Sequence, residues 1–185
     1  MSTDPDITIT NDFVADHAPL FRSLVDGIEW DDCMRARKTA SFGVPYNYSQ
    51  MSYAPAGFPD LVRGVAERVA NHVGWTPNSC LLNYYPQRRS SMGMHADNID
   101  RLHPDSGIAI VSLGAPRVMV FERDDGSNVC GRELRPGSLM VMGLVSQRGW
   151  RHGVPARPGV GPRISMTFRH VMPVEQASPL HARAG

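Results

Sequence analysis

Two stretches in the first half of the chain carry apolar residues at the spacing of an amphipathic helix. The first begins at Asp16, a residue type that favours a helix start, and runs to about Gly27. The second runs from Phe58 to Val73 and has charged residues on its opposite side. The apolar stripes of these predicted helices are Leu20, Phe21, Leu24 and Val25 in the first, and Leu61, Val62, Val65 and Val69 in the second.

From Ser79 onward, short apolar segments alternate with turns that contain glycine and proline, such as Pro136-Gly137. Many short strands with frequent turns are typical of a β-sandwich or jelly roll. With a helical layer packed on one side, the fold class is α+β and mainly β. A first short strand is predicted within 7–13, and the later ones over 79–85, 92–97, 107–113, 116–122, 130–134, 138–142, 149–153 and 163–171.

The last predicted strand has a polar face that runs from Arg163 through Ser165 and Thr167 to Arg169. An ordinary half-buried strand would turn this face to water. If the face points inward, two buried arginines need an anion to offset their charge, and a small dicarboxylate fits because guanidinium binds carboxylates in bidentate fashion. The guanidinium groups of Arg163 and Arg169 could then bind opposite ends of one such molecule.

A candidate metal site begins with His95 and Asp97, because residues two apart on a strand point to the same face. His152 offers a third ligand. Two histidines and one carboxylate form the facial triad of non-haem Fe(II) oxygenases, which leaves positions open on one side of the metal. The alternative is a chance His-x-Asp pair on the surface or in the core.

The predicted strand at 79–85 places Asn83 and Tyr85 on one face. An amide and a phenol are suitable partners for a bound oxo-acid. The alternative is a tyrosine that packs in the core and an asparagine at the sheet edge.

Taken in order, these motifs resemble the AlkB family of Fe(II)- and 2-oxoglutarate-dependent dioxygenases. The pattern is Asn-x-Tyr, His-x-Asp, a later His, and Arg-x-Ser-x-Thr-Phe-Arg, and the similarity runs from about Thr39 to Val171. The resemblance implies a double-stranded β-helix core and two cofactors, Fe(II) and 2-oxoglutarate. It also implies the iron ligands, which would be the catalytic centre: His95, Asp97 and His152.

The resemblance further implies how the cosubstrate is held. Arg163 would pair with the distal carboxylate of 2-oxoglutarate, and Arg169 would lie near its metal-chelating end. Asn83 and Tyr85 would be further contacts. Ser165 stands where the family usually has asparagine, so its shorter side chain could contact the cosubstrate through water.

Residues 38–56 carry tyrosines among turn residues and resemble the substrate lid of the same family. By that resemblance Tyr46 and Tyr48 are substrate contacts, and aromatic rings can stack on a flat base. The alternative is that these tyrosines brace the loop against the core. Arg88, in the loop before the His-x-Asp motif, is a candidate phosphate contact, although an exposed loop arginine can equally be plain surface.

Composition limits the remaining possibilities. The 185 residues suit a single domain over 1–185, with loose ends at about 1–6 and 173–185. Three cysteines without a CxxC pair, and no visible signal peptide, predict a cytoplasmic protein. No apolar run reaches the length of a membrane span, and we expect a monomer. The net charge of +1 argues against tight non-specific binding to DNA.

Three functions fit the sequence. The first is an oxidative demethylase of N-alkylated bases in DNA or RNA, in alkylation damage repair or reversal, which meets its base flipped out of a duplex or in a single strand. The second is an AlkB-like hydroxylase or demethylase of a small molecule or protein, which the balanced charge favours. The third is a non-enzymatic β-sandwich binding module, which leaves both arginines on the polar strand face unexplained.

Overall fold

The computed structural model describes residues 4–45, 54–86 and 89–173. Within these ranges the chain forms two α-helices, His17–Gly27 (α1) and Asp60–Val73 (α2), and a short 3-10 helix at Leu144–Arg148. The strands are Ile7–Thr10 (β1), Lys38–Gly43 (β2), Ser79–Tyr85 (β3), Met92–His95 (β4), Gly107–Gly114 (β5), Arg117–Arg123 (β6), Val129–Leu134 (β7), Leu139–Gly143 (β8), Trp150–Val154 (β9) and Arg163–Arg169 (β10).

The strands form two sheets. The larger has the order β1-β8-β5-β10-β3-β2 and the smaller the order β4-β9-β6-β7, and the pairs between the described strands are antiparallel. Apolar residues from both sheets meet in one buried cluster between them, which includes Ile108, Met119, Phe121, Met140 and Trp150. This two-sheet arrangement confirms the predicted jelly-roll core and the α+β, mainly β class.

Both helices pack on the outer face of the larger sheet, as the sequence predicted. Leu24 of α1 and Val62 of α2 are fully buried there, against residues such as Ile164 and Phe168 of β10. Each such side chain contributes about 1.5–3 kcal/mol by leaving water. Leu61 was predicted to be in the stripe but is 40% exposed, and Ala66 is buried in the same helix.

The helix starts differ from the prediction in two details. Asp16 precedes α1 but makes no capping hydrogen bond, and its carboxylate instead accepts a hydrogen bond from Arg68 of α2 at 3.2 Å. The second helix begins at Asp60 rather than Phe58, because a residue before proline disfavours the helical conformation and Pro59 is itself extended. Neither described helix is long and apolar enough to cross a bilayer.

The predicted lid segment begins as a sheet strand. Residues 38–43 form β2, which pairs with β3 at the edge of the larger sheet. The polar and small residues of this stretch alternate with period two, which suits a strand whose two faces differ. Tyr46 and Tyr48 lie outside the described residues, as do most of the predicted loose ends.

Candidate active site

Three side chains from β4, the loop after it and β9 meet between the sheets. His95 and His152 are register partners across the β4–β9 pair, and their ring centroids are 4.4 Å apart. Asp97 Oδ1 lies 3.6 Å from His95 Nε2. One ligand atom from each of the three residues lies within 4.8 Å of the others, so a single metal ion can reach all three.

The strand argument for the His95–Asp97 pair was wrong in its mechanism. β4 ends at His95, so Asp97 lies in the following loop rather than two positions further along a strand. Its backbone N–H donates a 2.9 Å hydrogen bond to Oε1 of Gln147, a buried residue of the 3-10 helix. The carboxylate therefore reaches the site because a distant segment holds the loop.

Neighbouring groups orient the ligands toward a metal. His95 Nδ1 lies 2.9 Å from the Gly93 carbonyl, which can only accept, so Nδ1 carries the proton and Nε2 is left with its lone pair. Gly153 lets β9 approach β4 closely, because a Cβ there would lie 2.9 Å from the Met92 carbonyl oxygen.

The site also favours the protonation states that a metal needs. Burial lowers the pKa of His152 to about 4, so its imidazole is neutral at physiological pH. Burial by itself raises the pKa of Asp97, but Arg169, His95 and His152 together outweigh it and hold that pKa well below its usual range. A neutral imidazole and an ionised carboxylate are both ready to coordinate.

The polar face of β10 points into the same pocket. Arg163, Ser165, Thr167 and Arg169 all line it, and each is at most 6% exposed. The alternate residues of this strand pack on the opposite side, in the cluster beneath the helices. The alternative, in which the polar face of this strand is exposed to solvent, is therefore wrong.

Arg163 is a buried cation without a counter-ion among the described residues. Its Nη2 donates to the Ser112 hydroxyl at 2.9 Å, and its head lies 5.3 Å from the Tyr85 ring centroid. The Nε and Nη1 atoms are buried and have no hydrogen-bond partner in the described chain. Leaving such a charge unpaired is costly, so the donor set fits a carboxylate ligand at this end of the pocket.

Asn83 and Tyr85 lie beside the β10 residues with which they were predicted to act. In the β3–β10 register, Asn83 is opposite Ser165 and Tyr85 is opposite Arg163. Both side chains line the pocket and are nearly or fully buried. Arg169, at the other end of β10, lies with Asp97 near the metal ligands, about 20 Å of strand away from Arg163.

Three residues in or next to the pocket escaped the sequence analysis: Arg37 lines it, Gln147 bonds to the Asp97 backbone, and Arg117 lies 5.8 Å from the Tyr85 ring centroid. Gln147 had no local signal, because its partner is fifty residues away. Arg37 could have been found by extending the alternation of β2 backward by one residue. Arg117 stands on the otherwise apolar face of β6 with Met119 and Phe121, and this interruption was a usable signal.

The structure does not test the predicted substrate contacts. Tyr46, Tyr48 and Arg88 all lie outside the described residues. Arg89, beside Arg88, is described and is exposed.

Comparisons with known proteins agree with this site. The sequence profile of the 2OG-Fe(II) oxygenase superfamily matches residues 27–169. The chain is 32% identical over 152 residues to the DNA oxidative demethylase ALKBH2 of Mus musculus, which covers 76% of this chain and 64% of that protein. It is 30% identical over 155 residues to the alpha-ketoglutarate-dependent dioxygenase alkB homolog 3 of Homo sapiens, which covers 77% of this chain and 54% of that protein.

Among solved structures, OsALKBH1 matches with a TM-score of 0.69 at 17% identity, covering 92% of this chain and all of that one, which supports the fold. The fold and site define a jelly roll with a His-Asp-His centre and an arginine-lined pocket. The chain belongs to the 2OG-Fe(II) oxygenase superfamily and, within it, to the AlkB family. It spans less than two thirds of the length of these two relatives.

Proposed function

We propose that this chain is an Fe(II)- and 2-oxoglutarate-dependent dioxygenase that removes alkyl groups from nitrogen atoms of bases in DNA or RNA. The observation that carries the proposal is the meeting of His95, Asp97 and His152 beside the inward-facing arginines of β10. Three ligands leave room at the metal for cosubstrate and oxygen. The buried Arg163 supplies the charge that a dicarboxylate needs.

In this proposal His95, Asp97 and His152 hold Fe(II). Arg163 and Tyr85 bind the distal carboxylate of 2-oxoglutarate, while Asn83, Ser165 and Arg169 act toward its chelating end. When bound, iron with 2-oxoglutarate and oxygen supplies an oxidant that hydroxylates an N-methyl group, giving succinate and carbon dioxide, and the hydroxymethyl product then releases formaldehyde. The protein orients the cosubstrate and keeps water from the pocket.

The proposed substrate is an N-alkylated base, presented in a single strand or flipped out of a duplex. Support comes from the relatives, of which the mouse protein is named a DNA oxidative demethylase. Tyr46 and Tyr48 are proposed to stack on the base as part of the lid, and Arg88 to contact a phosphate.

A second candidate substrate is a small molecule or a protein side chain, oxidised by the same iron chemistry. The observation in its favour is the net charge of +1, with 19 basic and 18 acidic residues, since nucleic-acid binders are usually more basic.

We also propose that the protein acts as a monomer in the cytoplasm. The cysteines Cys33, Cys80 and Cys130 are all free thiols, which suits a reducing compartment. Size-exclusion chromatography with light scattering tests the first point, and a mass of twice the chain would contradict it.

The test is a screen of single-stranded and duplex DNA and RNA oligonucleotides that carry one N-methylated base, with methylated nucleosides and peptides in parallel. Mass spectrometry reads base demethylation, and a coupled assay reads succinate. We expect succinate release that rises with methylated oligonucleotide and matches the amount of demethylated base one to one. Succinate release that responds only to a small molecule or peptide would favour the second candidate. A chain that produces no succinate with any substrate and binds no metal would overturn both.

A further inference from the structure

Arg37 is a third arginine at the cosubstrate pocket. It lies just before β2, on the far side of β3 from β10, and only 7% of it is exposed. It lines the pocket together with Asn83, Arg163 and Arg169. Within the described chain it makes no ion pair, so no neighbouring carboxylate neutralises its charge.

One short hydrogen bond ties Arg37 to a proposed cosubstrate contact. Its Nε donates to Oδ1 of Asn83 at 2.7 Å, and the bond is buried. Because a guanidinium only donates, the carboxamide must turn its oxygen toward Arg37. The two N–H groups on Nδ2 of Asn83 then face away from Arg37, and no described residue accepts a hydrogen bond from them.

The charge of the pocket indicates which kind of group accepts hydrogen bonds from those N–H groups. Among the described residues, its lining holds three arginines and one carboxylate, Asp97, which is a proposed metal ligand. An anion bound there would find amide donors already oriented and positive charge on several sides. Without Arg37 the carboxamide of Asn83 could rotate and present its oxygen, which repels a carboxylate.

We propose that Arg37 is a positioning residue that acts through Asn83. It holds the carboxamide with its N–H groups toward a carboxylate oxygen of 2-oxoglutarate, and it thereby raises the affinity for this cosubstrate. This inference rests on the proposed function, because it takes 2-oxoglutarate as the occupant of the pocket.

The experiment measures binding first and turnover second. Calorimetry follows 2-oxoglutarate binding to protein loaded with Mn(II), without nucleic acid or oxygen, for wild type, Arg37→Met, Arg37→Lys, Asn83→Ala and the Arg37→Met/Asn83→Ala pair. Arg35→Met is the matched control, since Arg35 is exposed two residues earlier. Circular dichroism and a melting curve establish that each variant is folded.

We expect Arg37→Met to weaken 2-oxoglutarate binding about tenfold, with a smaller loss for Arg37→Lys, which keeps the positive charge and N–H donors but lacks the planar fork. Since Arg37 acts through Asn83, the double variant should be within about twofold of Asn83→Ala alone. In turnover assays, Arg37→Lys should raise KM for 2-oxoglutarate and leave kcat nearly unchanged. Arg35→Met should bind like wild type.

Two results would overturn the inference while leaving the proposed function in place. One is a wild-type affinity in Arg37→Met. The other is a double variant whose loss is the product of the two single losses, which would mean that Arg37 acts independently of Asn83. If the Met variant does not fold, Arg37→Lys and its pair with Asn83→Ala provide the same comparison. A wild-type chain that binds no 2-oxoglutarate would instead overturn the cosubstrate assignment, and this inference with it.

Discussion

The guanidinium of Arg169 donates a 2.8 Å hydrogen bond to Asp97 Oδ2, and both side chains are almost fully buried. The pair joins the proposed metal centre to the proposed cosubstrate pocket. Because Asp97 Oδ1 faces His95 while Oδ2 faces Arg169, one carboxylate can bind a metal and keep its cationic neighbour. The two halves of the site are therefore electrostatically coupled.

Removing the carboxylate should destabilise the metal-free protein. Asp97→Ala removes the carboxylate that pairs with the buried Arg169, and breaking a buried pair in this way costs about 3–5 kcal/mol of unfolding free energy. Urea denaturation in the presence of a chelator measures the loss. Asp60→Ala is the control, because Asp60 is exposed and lies 3.8 Å from Arg63, so its removal should cost less than about 1 kcal/mol. Equal losses in both variants would contradict the account.

Arg163→Met should weaken the binding of 2-oxoglutarate by about 2–5 kcal/mol, which is at least about thirtyfold in Kd, because the distal carboxylate loses its charged partner. Arg163→Lys should recover only part of this, since an ammonium lacks the bidentate fork. Calorimetry on Mn(II)-loaded protein gives the affinities. The exposed Arg157 provides the control variant, Arg157→Met. Unchanged affinity in Arg163→Met would remove this residue from the site.

The metal-free protein should lose stability in acid through His152. The folded pKa of about 4 lies below the ordinary value of 6.5, so between these pH values the unfolded chain takes up a proton that the folded chain does not. The contribution is fully present above pH 6.5 and falls by on the order of 3 kcal/mol as the pH drops to 4. Urea midpoints across this range, compared with His152→Leu, isolate it. Parallel curves for the two proteins would show that His152 contributes nothing.

Gln147 should matter for the metal although it does not touch it. Gln147→Ala removes the acceptor of the Asp97 N–H, and the loss of a group that orients a ligand typically lowers metal affinity by about 10–100-fold. Competition with a chelator of known affinity measures the change. Val145→Ala, in the same 3-10 helix but 72% exposed, should bind metal like wild type. A Gln147→Ala protein with full affinity would show that the loop holds Asp97 by itself.

Variants of the proposed lid should affect substrate binding without affecting the iron chemistry. Replacing Tyr46 and Tyr48 with alanine should reduce demethylation of oligonucleotides by removing base stacking, which contributes about 1–3 kcal/mol per base. The uncoupled consumption of 2-oxoglutarate should remain. Parallel assays of succinate and demethylated base give both rates. A double variant that loses both activities, or neither, would argue against a lid role.

Local patterns predicted most of the strands and the two faces of β10, while the family resemblance implied that the polar face turns inward. The alternation from Arg163 to Arg169 holds over the whole strand, so the faces follow from sequence alone. The pairing of residues across strands could not be predicted in this way. Asn83 lies opposite Ser165 because of the register between segments far apart in the chain. Gln147 and Arg37 reach the site in the same long-range way.

His95 and Asp97 show the limit of a correct motif. Their proximity was predicted from strand alternation, yet β4 stops at His95. The contact survives because the hydrogen bond from the Asp97 backbone to Gln147 holds the loop, a restraint that no spacing rule contains. Ser165 is a similar case: the sequence identifies a shorter side chain, while only the fold places it beside Asn83.

The most direct test is a crystal structure of the protein grown without oxygen, with Mn(II) and 2-oxoglutarate. The account predicts one ion bound by His95, Asp97 and His152, with the far carboxylate of the acid paired to Arg163. An ion held by other residues, or an acid bound away from β10, would contradict it.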